Sequence, residues 1–318
     1  MLSETQGIGQ MKKIVAIGGG HGLSTILKGI RDIEDIEIAA IVTVADDGGS
    51  TGRLRKRYII PAMGDVRNVL LALSDSDPLM NELMNYRFEG EDNMDIAGHS
   101  LGNLILTALT NMSGSFDKAI SIVEELLKVK GDIIPSTLEY VTLYATMDDD
   151  TIVKGEANIP NFNHQISKVF YRDNVVANKD AIKAIEEADI IIYGIGSLYT
   201  SIIPNTIIPE INKALCACKA KKIYFANCMT QSNETYGYDL GDHVRALKAH
   251  KTPVDMVIIH NNPIPQEIIE RYEASSSQEV VYHHDLEEEV RAYDLLDFDD
   301  GLVRHNSQKI RKVIEEIL

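Results

Sequence analysis

The chain of 318 residues has no tryptophan, three cysteines and 6% aromatic residues, and its 31 lysines and arginines are outnumbered by 48 aspartates and glutamates. Each shortage excludes something. With a formal charge of −17, the chain repels nucleic acids and acidic membrane surfaces, because affinity for either rests on cations that neutralise phosphates. Cys216, Cys218 and Cys228 are too few and too irregularly spaced for a disulfide framework, and no second pair completes a zinc-type spacing. That usage fits a reducing compartment. Nowhere do about 18 apolar residues run consecutively, and Met1 to Gln10 lacks the apolar stretch of a signal peptide. The expectation is a cytoplasmic protein without membrane insertion, whose true start is either Met1 or Met11. What is present is a hydrophobic content of 44%, enough for a substantial core. Any anionic ligand of so acidic a chain must be held by local donors, such as backbone N–H groups.

Short apolar runs alternate with helical patterns along the chain. Lys13 to Ile17 reads as a strand, Gly18 to Gly22 as a glycine loop, and Leu23, Ile26, Leu27 and Ile30 as one helix face. Ile36 to Val44 is nearly continuous in apolar residues, as a strand covered on both faces should be, and it ends at Asp46, Asp47, Gly48, Gly49 and Ser50. A basic segment (Arg53, Arg55, Lys56, Arg57) follows. Helical periodicity then covers Val66 to Leu73, Leu101 to Leu109 and Phe116 to Leu127. Glu139 to Thr146 and Thr151 to Ala157 flank an Asp-rich turn and read as an inserted antiparallel hairpin. Alternation resumes with helices at Asp180 to Glu187, around Ile207 to Cys218, and at Asp242 to His250. The strands between and after them are Asp189 to Tyr193, Lys222 to Ala226 and Asp255 to His260. The pattern predicts a Rossmann-like, doubly wound, mostly parallel α/β sheet with an inserted β-hairpin subregion. Without repeats or linkers, residues 13–318 are expected to form one domain behind an N-terminal extension, residues 1–12.

In open parallel sheets ligands bind beyond the carboxyl ends of the strands. Four predicted strands end there in unusual sequence: GGGHG, ADDGGS, GIGSLYTS and NCMTQ. Gly18, Gly19, Gly20, His21 and Gly22 would let the backbone approach a phosphate and aim a helix N-terminus at it; a tight turn is the plainer alternative. Leu23 stands where a dinucleotide fingerprint needs its last glycine, which weakens a nicotinamide reading. Asp46 and Asp47 sit where a Rossmann-type fold places a ribose-binding acid, or they hold Mg²⁺, or they belong to an Asp-Gly turn. Asp65 and Asn68 are weaker candidates, with Asp65 readable as an N-cap and Arg67 as a surface charge. Gly196, Ser197, Tyr199 and Thr200 offer backbone and hydroxyls for phosphate or sugar oxygens, or simply cap a helix. Asn227, Thr230 and Gln231 follow the next strand. His99 and Asn103 are expected on one helix face, i and i+4. His283 and His284 read as surface. No catalytic triad, HExxH motif or Walker lysine can be placed, so the residues alone support a binding site better than a reaction.

The segments IGGGHGLSTILKGI, IVTVADDGGSTGRLR, GDVRNVLLALSD, GHSLGNLIL, GSLYTSIIPN and MTQSNETYGYD, in this order, resemble the YvcK-type gluconeogenesis factor family. That family is a branch of the CofD-like superfamily that includes 2-phospho-L-lactate transferase. The resemblance runs from about Lys13 to Asn261 and resumes at Leu302 to Ser307. It implies a Rossmann-like fold and a cytoplasmic bacterial protein that binds UDP-sugars such as UDP-N-acetylglucosamine. It also implies a regulatory role in carbon-source-dependent growth, cell shape and peptidoglycan synthesis. The ligand residues it implies are the glycine loop with His21, Asn205, and Arg304, whose guanidinium suits a pyrophosphate. The plainer reading of Arg304 is a surface ion pair. His21 replaces a usual threonine, Ile195 a usual proline, and Ser232-Asn233 a usual Pro-Gly, which bears on ligand choice more than on fold. The transferase branch implies the alternative, a Mg²⁺-dependent phospholactate transferase. A regulatory protein partner and a homo-oligomer complete the expectations.

Overall fold

The computed structural model describes residues 11–90, 96–162, 164–299 and 301–318, so most of the expected N-terminal extension lies outside the described residues. The first half runs β1 (Lys12–Gly18), α1 (Gly20–Ile30), β2 (Ile36–Val42), α2 (Gly49–Tyr58), α3 (Gly64–Leu73), α4 (Pro78–Asn85), α5 (Leu101–Ser113), α6 (Phe116–Leu127) and β3 (Asp132–Pro135). An insert follows, with β4 (Leu143–Met147), β5 (Ile152–Lys154), a 3-10 turn (Glu156–Asn161) and β6 (Ile166–Tyr171). The second half starts with α7 (Lys179–Glu187), β7 (Ile190–Tyr193), a π-type turn (Leu198–Ile202), α8 (Ile203–Thr206), α9 (Pro209–Ala217) and β8 (Lys221–Phe225). It ends with α10 (Leu240–Ala249), β9 (Met256–His260), α11 (Gln266–Glu273), β10 (Glu289–Tyr293), the hairpin β11 (Leu296–Asp299) and β12 (Leu302–His305), and α12 (Ser307–Ile317).

The central sheet has seven strands in the order β10-β9-β8-β7-β1-β2-β3, and every neighbouring pair is parallel. From β1 the chain winds out to β3, then returns to β7 and winds the other way. The reversal therefore falls between β1 and β7, where loops diverge and leave a crevice. Central strands read as unbroken apolar runs because helices cover both faces; Ile14, Ile17, Ile191, Tyr193, Ile223 and Phe225 are completely buried. Helix α12 closes the core by its single apolar face, with Ile310, Val313 and Ile314 buried at i, i+3 and i+4.

Three differences from the sequence reading have physical causes. The inserted hairpin gains a third strand, giving an antiparallel sheet β5-β4-β6; its first strand starts at Leu143 rather than Glu139. The basic segment after Asp47 is helix α2, and Arg55 in it is fully buried. Its Nη1 donates to the carbonyls of Ala45 at 3.0 Å and Asp46 at 2.8 Å, its Nη2 donates to Val141 O, and its guanidinium lies 4.3 Å from the Tyr140 ring centroid. The helix expected from Ile207 starts at Pro209, after the separate turns of Leu198–Thr206.

Candidate functional site

The loop after β1 and the loop after β7 face each other across the switch point, and glycine is what lets them close. A Cβ on Gly22 would stand 2.1 Å from Ile195 O, and one on Gly19 would stand 2.4 Å from Asp65 Oδ2 and 2.8 Å from Thr43 Cγ2. These distances admit no side chain. Asn205 completes the closure: fully buried, it donates Nδ2–H to Gly18 O at 3.1 Å and to Ser201 O at 2.8 Å. Asn227 does the same one strand further on, donating to Gly196 O at 3.0 Å. Both amide oxygens are buried without a partner.

The N-terminus of α1 carries its own anion. Helix α3 has Met63 at its N-cap with no side-chain cap, so Asp65 is not the N-cap that the sequence suggested. Its carboxylate instead accepts from Gly20 N–H. Burial first, then the nearby Asp46 carboxylate, pushes Asp65 up to about 7. Burial likewise raises Asp46, against hydrogen bonds from Gly48 N–H and the Thr51 hydroxyl. Asp47 serves the insert instead, because Ala157 N–H donates to its Oδ1 at 2.9 Å and so fixes the 3-10 turn there. That turn presents Glu156, which burial and the surrounding carboxylates push up to about 8.

Ser50, His99, Asn68 and Asn103 meet in a polar cluster on the β2 side. His99 precedes α5 instead of lying on it, because Ser100 is the N-cap. The expected shared helix face therefore fails, yet the two residues are joined through Ser50, whose Oγ lies 2.7 Å from His99 Nδ1 and 3.3 Å from Asn103 Nδ2. Arg67 is a buried member of this cluster and not a surface charge. It donates to Ser100 Oγ, to Asn103 Oδ1 at 3.3 Å and to Asn68 Oδ1 at 2.7 Å. Burial, then Arg53 and Arg87, lower the His99 pKa and favour neutral imidazole.

Open space lies on the other side of the switch, in a cavity of about 600 Å³ beyond β7 and β8. Ser197, Thr200, Thr230 and Gln231 line it, with Glu156 and Glu234. Gln231 Nε2–H donates to Ser197 Oγ at 2.7 Å, and Thr200 Oγ1–H to Glu234 Oε1 at 2.9 Å. The second oxygen of Glu234 is buried with no partner, and burial raises its pKa. Tyr199 points elsewhere: its hydroxyl pairs with Tyr238 OH at 2.8 Å, and its ring packs edge-on to His250. The far wall, absent from the sequence reading, is Arg271, Tyr272, Ser275 and Ser277 of α11 and its C-terminal extension, with Leu302. Arg304 is exposed on β12, opposite Asp297 in the hairpin register; strand alternation puts it on the face of Leu302. His21 is exposed in the first turn of α1. Glu234 was within reach of the sequence, since it stands inside MTQSNETYGYD; Arg271 and Ser275 carried no motif.

Fold and cleft together define a Rossmann-like α/β protein whose candidate site sits at the topological switch, between a carboxylate-bearing wall and a hydroxyl-bearing one. The family described as 2-phospho-L-lactate transferase CofD matches residues 14–296. The chain is 41% identical to the "Gluconeogenesis factor" of Bacillus subtilis (strain 168), over 98% of this chain and 99% of the relative. It is also 41% identical to the protein of the same name from Halalkalibacterium halodurans, over 96% of each. Two crystal structures of a Bacillus halodurans protein, 39% identical, superpose with TM-scores of 0.92 and 0.91, covering 96% and 95% of this chain and 99% of theirs. The chain belongs to the CofD family, in its gluconeogenesis factor branch. No helix among the described residues is long and apolar enough to cross a membrane.

Proposed function

We propose that this protein is a UDP-sugar-binding regulatory factor of gluconeogenic growth, cell shape and peptidoglycan synthesis, with UDP-N-acetylglucosamine as ligand type. The observation that carries this reading is the cavity of about 600 Å³ at the carboxyl ends of β7 and β8, lined by Ser197, Thr200, Thr230 and Gln231. Its volume lies within the range of small-molecule sites. Hydroxyls and amides can both donate and accept, as a sugar ring requires. The names of the relatives support the metabolic part of the reading. The pyrophosphate would be met by the exposed Arg304, two residues along β12 from the cavity-lining Leu302, where the bidentate geometry of a guanidinium suits it. Calorimetric titration with UDP-N-acetylglucosamine tests the reading: wild type binds, Arg304→Ala binds at least tenfold more weakly, and no binding by wild type overturns it.

A second reading has its own observation in its favour. Asp46 and Asp65, both raised in pKa by burial and by neighbouring carboxylates, provide hard oxygen donors that fit Mg²⁺ better than they fit a bare phosphate. Asp47, with Oδ1 committed to Ala157, fits less well. A bound Mg²⁺ would supply charge neutralisation for a phosphate, as in the transferase branch. Asp46→Asn and Asp65→Asn, assayed for product with a deazaflavin acceptor, test it; no turnover by wild type removes it. Binding of UDP-N-acetylglucosamine without turnover favours the first reading.

A further inference from the structure

A second cavity, of about 610 Å³, lies between β6 and the turns that precede α9 and follow α10. Its lining departs from the acidic character of the chain. Lys168, Arg172 and Lys251 face it with a single carboxylate, Asp173, and none of the three cations has an ion pair among the described residues. Arg172 is held by stacking, 4.5 Å from the Tyr144 ring centroid. Val175 and Ile207 add apolar wall.

The floor is the free edge of a sheet, since β6 is an outer strand of the β5-β4-β6 sheet. Val169 N–H points away from β4 and donates to His250 Nε2 at 3.0 Å. Outward groups recur at every second residue of an antiparallel strand. The register pairs Val169 with Ala145 and Tyr171 with Leu143, so Tyr171 also turns its N–H and C=O outward, into the groove. Such an edge accepts another strand unless something blocks it; His250 blocks one position and leaves the next.

We propose that this groove docks an extended acidic segment of a partner protein, added as a strand to β6 with its carboxylates over Lys168, Arg172 and Lys251. A lone phosphate would use the cations but neither the strand edge nor the apolar wall. Nucleic acid would meet Asp173 and an overall charge of −17. The groove also backs onto the candidate site. Tyr171 OH donates to Pro204 O at 3.1 Å, Asn205 beside it holds Gly18 O, and the His250 ring lies 5.9 Å from that of Tyr199. Docking itself does not depend on which ligand the site holds.

The deciding experiment is fluorescence anisotropy of the intact protein with a labelled octapeptide of alternating glutamate and valine. Saturable binding is expected. It should weaken at least tenfold in Lys168→Glu/Lys251→Glu and in Arg172→Glu, weaken as salt rises through the screening range of about 0.05 to 0.3 M, and disappear when alternate peptide nitrogens are methylated. Amide exchange at Tyr171 should slow in the complex. The proposal is overturned by absence of binding, by equal binding to variants that melt like wild type, or by equal binding of the lysine-for-glutamate peptide. It is also overturned if a labelled single-stranded oligonucleotide binds in place of the peptide.

Discussion

The two walls of the candidate site are built on opposite principles. On the β1–β2 side, glycines bring backbone and carboxylates so close that a single methyl at Gly19 or Gly22 would collide. On the β7–β8 side, hydroxyls and amides surround open volume. Gly19 and Gly22 therefore mark where the chain packs against itself, while the open volume lies beside them. A run of glycines at a strand end says that something approaches closely, and here much of what approaches is protein: the Asp65 carboxylate and the Ile195 carbonyl.

The contrast can be broken most sharply at Gly22. Alanine there places a Cβ 2.1 Å from a backbone oxygen; a destabilisation of at least about 3 kcal/mol, the upper end for overpacking, is expected in denaturant unfolding. A wild-type midpoint would mean that the two loops part easily. On the open wall the expected effect is on affinity instead. Ser197→Ala removes a hydroxyl from the cavity lining; UDP-N-acetylglucosamine should bind about tenfold more weakly, the equivalent of one lost hydrogen bond of about 1.4 kcal/mol, with little change in melting temperature. Calorimetry and a melting curve on one preparation separate the two outcomes.

Asp65 sharpens the contrast through pH. Its folded pKa of about 7 lies above the ordinary 3.8, so the folded state holds the proton more tightly than the unfolded state. Stability assigned to this group is fully present below about pH 4 and is lost as pH rises toward 7. Asp65→Asn, which can still accept from Gly20, should therefore stabilise by an amount that grows from pH 4 to pH 7 and then levels off; a pH-independent difference would contradict the burial of Asp65 and its crowding by Asp46. The smallest effect is expected at Tyr199. Its hydroxyl faces Tyr238, so Tyr199→Phe should leave ligand affinity unchanged and cost about 1 kcal/mol of stability.

How far the sequence can be read follows from the same contrast. Apolar runs and their glycine punctuation locate five of the seven parallel strands, β1, β2, β7, β8 and β9, because burial on both faces leaves a pattern in the chain itself; the edge strands β3 and β10, which lack long apolar runs, are missed. Strand β6 escapes: it borrows its stability from pairing with β4 and from His250, and neither is local. Arg55 and Arg67 look like solvated charges in the sequence because a guanidinium sheds its usual exposure only when carbonyls or amides distant in sequence, such as Val141 O for Arg55 and Asn103 Oδ1 for Arg67, receive it. Asp47 is legible as a site candidate and Asp65 as a weaker one, but their partners Ala157 and Gly20 can be known only from the folded chain. Arg271 and Ser275 lie on a helix and its extension with no glycine or motif to flag them, and only tertiary packing brings them to the cavity.

Asp47 and Arg55 leave one more consequence. The first fastens Ala157, after β5, and the second fastens Val141, before β4, so the start of the insert and the turn beyond its first hairpin are both tied to the segment following β2. Two anchors hold this flap, while the opposite cavity wall, Arg271 and Tyr272 of α11 with Leu302 of the β11–β12 hairpin, belongs to a separate part of the chain. The tip at Asp148–Asp150 carries neither anchor, yet Asp148 lines a small cavity together with Ser232, Asn233 and Glu234, three residues that also line the candidate site, so the tip and the site share one segment.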